Sequence, residues 1–131
     1  MDTDEQRLNG VTEAIIGCAF KVHNALGCGF AERVYENALV HELRKKGLRV
    51  EQQVPIQVRY DGIVVGDYIA DLIVESEVLV KNKAVRNLDE AFVAQCINYL
   101  ACTSIPLCLL LNFGKKVEIK RFRGPGRNPS H

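Results

Sequence analysis

The sequence has almost no net charge, no apolar run long enough to cross a bilayer, and no two cysteines at metal-ligand spacing. A formal charge of +1 over 131 residues gives the molecule no overall field that would draw nucleic acid or an anionic membrane. Any such surface has to be a local patch. The longest apolar stretch, Ile105 to Leu111, is far shorter than the roughly 20 residues a spanning helix needs. The first ten residues are polar and acidic and contain nothing like the apolar core of a signal segment. The cysteines are Cys18, Cys28, Cys96, Cys102 and Cys108. Their odd number and the lack of CxxC spacing argue against a disulfide framework or a zinc site. Reduced core thiols in a cytoplasmic protein are expected instead.

What is present fits one globular domain, with 47% hydrophobic and 25% charged residues. Leu8, Val11, Ile15, Ala19, Val22 and Leu26 recur at helical steps, which predicts a helix over 3–26. Thr3 and Gln6 have capping-box spacing at its start, and Gly27 and Gly29 stop it. A second helix is expected from about Phe30 to Lys46, ending at Gly47. The period then changes to two. Val50 to Val58 reads as a strand edged by Pro55, and Asp61-Gly62 as a hairpin turn. Val64-Val65 starts the return, Gly66 breaks it, and Tyr68 to Val74 continues it. After the turn Glu75-Ser76-Glu77 comes a strand over Val78 to Val85. Asn87, with Glu90 three residues on, is expected to cap a helix reaching about Cys102. Leu107 to Phe113 reads as a buried strand, and Val117 to Phe122 as its partner. The order predicts helices on a mixed sheet, in one α/β domain over 1–123, with a flexible tail over 124–131.

Asp71 interrupts an apolar strand, and a buried carboxylate needs a partner, a hydrogen-bond network or a metal. Taken alone, a solvent-facing sheet or a structural ion pair explains it. The next strand adds to the picture. Lys81 and Lys83 are two residues apart and share one face. A turn centred on Ser76 sets Asp71 opposite Lys81 by antiparallel pairing. A lysine beside a metal-binding carboxylate is the equipment of phosphodiester hydrolysis. Gln95 and Tyr99 are four apart on one helix face. They suit contact with a phosphate or water, and equally a half-buried polar pair. Glu32 and Glu36 are a helical turn apart near the start of the second helix. There they favour the helix dipole or supply a carboxylate to the strands.

Together these residues resemble a known family. Gly29-Phe30-Ala31-Glu32-Arg33-Val34-Tyr35 matches the signature of the GxxExxY protein family, a group within the PD-(D/E)XK nuclease superfamily. The run 35–39, Glu42-Leu43, Gly47-Leu48, Gln53-Val54-Pro55, Ala70-Asp71-Leu72, Lys83-Ala84-Val85, Gln95 with Asn98-Tyr99-Leu100, and Leu111-Asn112-Phe113-Gly114 fit it too. The resemblance covers roughly residues 8 to 122. It implies a restriction-endonuclease-like fold, a mixed central sheet flanked by helices, and magnesium-dependent hydrolysis of DNA or RNA. By the same resemblance Asp71 is the first motif aspartate and Lys83 the lysine of the ExK element. Gln95 and Tyr99 form a QxxxY element, and Glu32 is a helical glutamate that helps hold the metal.

The chain departs from the family at positions 81 and 82. Where the family reads Val-Glu-Leu-Lys, it has Val80-Lys81-Asn82-Lys83. Lys81 replaces the glutamate that would join Asp71 on magnesium, and an ammonium there opposes the cation directly. Three readings stay open. One is a degenerate nuclease in which Lys81 neutralises Asp71 and Glu32. The second is an active nuclease with a migrated carboxylate, Glu36 or Glu75. The third is a binding or interaction module. Arg44-Lys45-Lys46 with Arg49, and Lys115-Lys116 with Lys120, Arg121 and Arg123, are basic clusters suited to phosphate or to solvent. Cys28 with His23 or His41 has no orienting third group, which argues against nucleophilic catalysis there.

Overall fold

The computed structural model describes residues 3–124. All but the first residue of the expected tail therefore lies outside the described residues. The chain runs α1 (Thr3–Leu26), α2 (Glu32–Lys45), β1 (Val50–Tyr60), β2 (Ile63–Val74), β3 (Val78–Lys83), α3 (Glu90–Ala101), β4 (Leu107–Phe113) and β5 (Val117–Arg123). The five strands form one sheet in sequence order, antiparallel except between β3 and β4, which are parallel. A parallel neighbour needs a crossover, and α3 supplies it.

Side-chain alternation sorts the core onto two faces. Leu72 and Val74 of β2, Val78 and Val80 of β3, and the odd-numbered residues of β4 from Leu107 to Phe113 pack under α1 and α2. Ile73, Leu79, Cys108 and Leu110 pack under Cys96 and Leu100 of α3. β4 is buried along its whole length, as expected for a strand covered on both faces.

Several boundaries differ from the sequence expectation, among them the end of β3, which stops at Lys83 and not at Val85. α1 spans Thr3–Leu26 as expected, but Thr3 is itself helical and not the cap. α2 begins at Glu32, and its cap residue Ala31 has no side-chain hydrogen bond to offer. α3 is capped by Asp89, whose carboxylate accepts from the Ala91 N–H at 2.8 Å, and not by Asn87. Gly66 does not break β2: it pairs with Val58, and the irregularity falls just beyond, where the register slips between Val58 and Arg59. Both hairpin turns form as expected, with positive φ at Asp61 and Gly62 and at Glu75 and Ser76.

Candidate active site

β2 and β3 pair as Val74↔Val78, Ile73↔Leu79 and Leu72↔Val80. One further step in that register sets Asp71 across from Lys81, the juxtaposition the turn length predicts. The ladder ends there because a side chain takes over from the backbone. Asp71 Oδ2 accepts from the Asn82 N–H at 2.7 Å, and Oδ1 faces Lys81 Nζ at 3.5 Å. Both side chains are largely buried, Asp71 12% and Lys81 19% exposed. The pair is therefore poorly screened by solvent.

On the other side of Asp71, β1 bends. Gln52 pairs with Leu72 and Val54 with Ala70, and Gln53 between them takes φ 57°. A non-glycine residue adopts the left-handed region at a cost of roughly 1 kcal/mol or more. Here the bend aims the Gln53 amide at Glu36, to whose oxygens it donates at 2.9 and 3.1 Å. Gln52 donates to the same carboxylate at 2.6 Å, and Arg33 lies 3.6 Å away. Glu36 is thus a buried carboxylate whose charge is fully met by its neighbours.

Lys83 shares its strand face with Lys81, yet the two lysines serve different carboxylates. Lys83 Nζ lies 3.9 Å from Glu32 Oε2 and 4.2 Å from the centre of the Phe92 ring. Lys81 was expected to neutralise both Asp71 and Glu32. In the structure Glu32, in the first turn of α2, is met by Lys83, the last residue of β3.

Tyr99 lines a small cleft with Asp71, Lys81, Cys96 and Cys108. Its ring stacks on Tyr68 at 3.6 Å, and its carbonyl accepts from the Tyr68 hydroxyl at 2.6 Å. Burial raises the Tyr68 phenol well above its ordinary pKa. Gln95, four residues before Tyr99, is exposed and does not line the cleft. The hydrogen bond with Cys96, followed by burial, raises the Cys108 thiol far above the usual range and keeps it protonated. The five cysteines are all free thiols. Cys28 is exposed, while His23 gives its ring N–H to the Gly114 carbonyl at 2.7 Å.

Two features of the site had no signal in residue spacing. Asn82 is 1% exposed, and neither end of its amide has a hydrogen-bond partner among the described residues. Asn112, fully buried, grips the backbone of Val85 in both directions. Its Oδ1 accepts from the Val85 N–H and its Nδ2 donates to the Val85 carbonyl, each at 2.9 Å.

A family model of the PD-(D/E)XK nuclease superfamily matches residues 9–122. The chain belongs to that superfamily. No curated protein and no solved structure matches it. The superfamily is generally metal-dependent, so the donors here can be tested against a divalent cation. Magnesium takes oxygen ligands in an octahedron and keeps several waters. Asp71 has one oxygen on a backbone N–H and the other on an ammonium. Glu32 faces Lys83, and Glu36 is saturated by amides. The cleft beside Asp71 has an accessible volume of about 10 Å³, space for about one water. Among the described residues no three carboxylate, histidine or cysteine side chains cluster as metal ligands. The donor set does not fit a hydrated magnesium ion. No described helix is long and apolar enough to cross a membrane.

Proposed function

We propose that this chain binds nucleic acid through a nuclease fold and does not hydrolyse it. The Lys81–Asp71 ion pair carries the reading. Where a nuclease of this fold would set a metal, the protein sets an ammonium. That cation neutralises Asp71 but has no open coordination position from which to polarise a phosphate or lower the pKa of water. Lys83, held between Glu32 and the Phe92 ring, remains a cation at the end of β3, where it can meet a phosphodiester.

Within the superfamily we assign the chain to the GxxExxY group, on the residues from Gly29 to Tyr35. Asp71, Lys83, Tyr99 and Glu32 are then remnants of the catalytic set, with Gln95 displaced to the surface. Its five free thiols suit a reducing, cytoplasmic setting.

The test pairs cleavage with binding. Labelled single-stranded and duplex DNA and RNA are incubated with the protein in magnesium or manganese, and affinity is measured in parallel at several salt concentrations. The reading expects intact substrate and salt-dependent binding. Metal-dependent cleavage that Asp71→Ala abolishes would overturn it.

A further inference from the structure

Some cations of this protein are paired and others are not; Arg123 faces Glu5, while Lys46, Arg59, Lys120 and Arg121 form no ion pair among the described residues. Arg7, Lys21, Arg33, Lys45, Arg49, Lys81 and Lys83 each face a carboxylate. Arg86, Lys115 and Lys116 are exposed, and no ion pair forms on them among the described residues. All three line one cleft of about 310 Å³ beyond the end of β3. Its lining carboxylate, Glu118, is turned inward and accepts from Asn112 Nδ2 at 2.8 Å. A second cleft of about 300 Å³ shares Arg86 and Lys115 and adds Ala84, Cys28, Gly29 and Phe30. Ala84 follows Lys83, so this second cleft starts beside the site already described.

The groove is built, not incidental. Asn112 clamps Val85 from both sides, which fixes Arg86 next to the β4–β5 turn that carries Lys115 and Lys116. A Cβ at Gly114 would come within 3.1 Å of the Val85 carbonyl, so a side chain there would press on that backbone. His23 fastens the same turn to α1 through the Gly114 carbonyl. Across the groove Phe30 is 48% exposed, a large apolar ring left in water. Its position is fixed by an edge contact with Tyr35, which in turn stacks on Phe113 at 4.7 Å and donates to the Gly27 carbonyl at 2.6 Å. Cations carried on an anchored backbone, beside a cleft that also holds an exposed ring, suit a phosphate chain whose bases are free to stack. A duplex keeps its bases inside.

We infer that this groove binds single-stranded nucleic acid, with phosphates on Arg86, Lys115 and Lys116 and one base against Phe30. The inference rests on the nucleic-acid-binding reading above and deepens it. Binding of labelled oligothymidylate and of a duplex of equal length, measured by anisotropy in EDTA across a salt series, tests it. Replacing Arg86, Lys115 and Lys116 together by alanine is expected to weaken oligothymidylate binding at least about tenfold and to flatten the salt slope by about 2. Phe30→Ala is expected to weaken it about tenfold and to leave duplex binding unchanged. Lys46→Ala, in the other basic cluster, is expected to change nothing. Circular dichroism confirms that each variant folds. Wild-type binding that survives the triple substitution with an unchanged slope overturns the groove alone. An equal effect of Phe30→Ala on single strand and duplex overturns the single-strand assignment. Failure of the wild type to bind any nucleic acid overturns the broader reading as well.

Discussion

The ammonium of Lys81 lies 3.5 Å from one oxygen of Asp71, while the N–H of Asn82 holds the other at 2.7 Å. The two partners of the ion pair are not equivalent. Without Lys81, the carboxylate keeps its backbone hydrogen bond. Without Asp71, a largely buried ammonium and a buried N–H both lose their acceptor. Asp71→Ala is therefore expected to cost about 2–3 kcal/mol of stability, and Lys81→Met about 1 kcal/mol or less. Urea denaturation of the two variants measures the difference. A Lys81→Met cost equal to or above that of Asp71→Ala would contradict this asymmetry.

Asn82 is buried with both ends of its amide unpaired among the described residues. Burying a polar group without partners carries a desolvation cost that a leucine of similar size avoids. Asn82→Leu is expected to stabilise the fold by about 1–2 kcal/mol, read from the urea midpoint at unchanged slope. Destabilisation would show that the amide has found a partner, such as an enclosed water.

The buried Tyr68 phenol holds its proton more tightly in the folded chain than in the unfolded one. An unfolded tyrosine titrates near pH 10. Tyr68 therefore contributes stability that is fully present below about pH 10 and is lost as pH rises further, because the unfolded chain releases a proton that the native chain retains. Melting temperatures of the parent and of Tyr68→Phe are expected to converge between about pH 9 and 11. The variant lacks the hydrogen bond to the Tyr99 carbonyl and starts lower, but it escapes this part of the alkaline loss. A gap that stays constant across that range would refute the linkage.

Much of the site was legible because β-hairpin geometry is local. Three turn residues fix a register, and the register sets Asp71 across from Lys81. The apolar run at 107–113 reads as a buried strand by composition, and it is one, buried along its whole length. What stayed hidden depended on contacts distant in sequence. The left-handed bend at Gln53 exists because Glu36, on a different element, draws its amide. The pairing of Glu32 with Lys83 depends on where α2 crosses the sheet. Asn87 and Asp89 are both good caps, and two residues decide which one meets the first free N–H. Four-residue spacing put Gln95 beside Tyr99, but spacing alone does not rotate a helix, and Gln95 faces outward. Asn112 stood in an apolar strand with no local sign that it would clamp Val85.

The sharpest test of the proposed reading is a calorimetric titration of magnesium and manganese into the wild type, Lys81→Glu, and Lys81→Glu combined with Asp71→Ala. The wild type is expected to show no saturable binding. Lys81→Glu restores a second carboxylate beside Asp71 and is expected to gain a saturable site, which the added Asp71→Ala removes. Saturable magnesium binding by the wild type that is lost in Asp71→Ala would contradict the proposal that the Lys81 ammonium stands where the metal would.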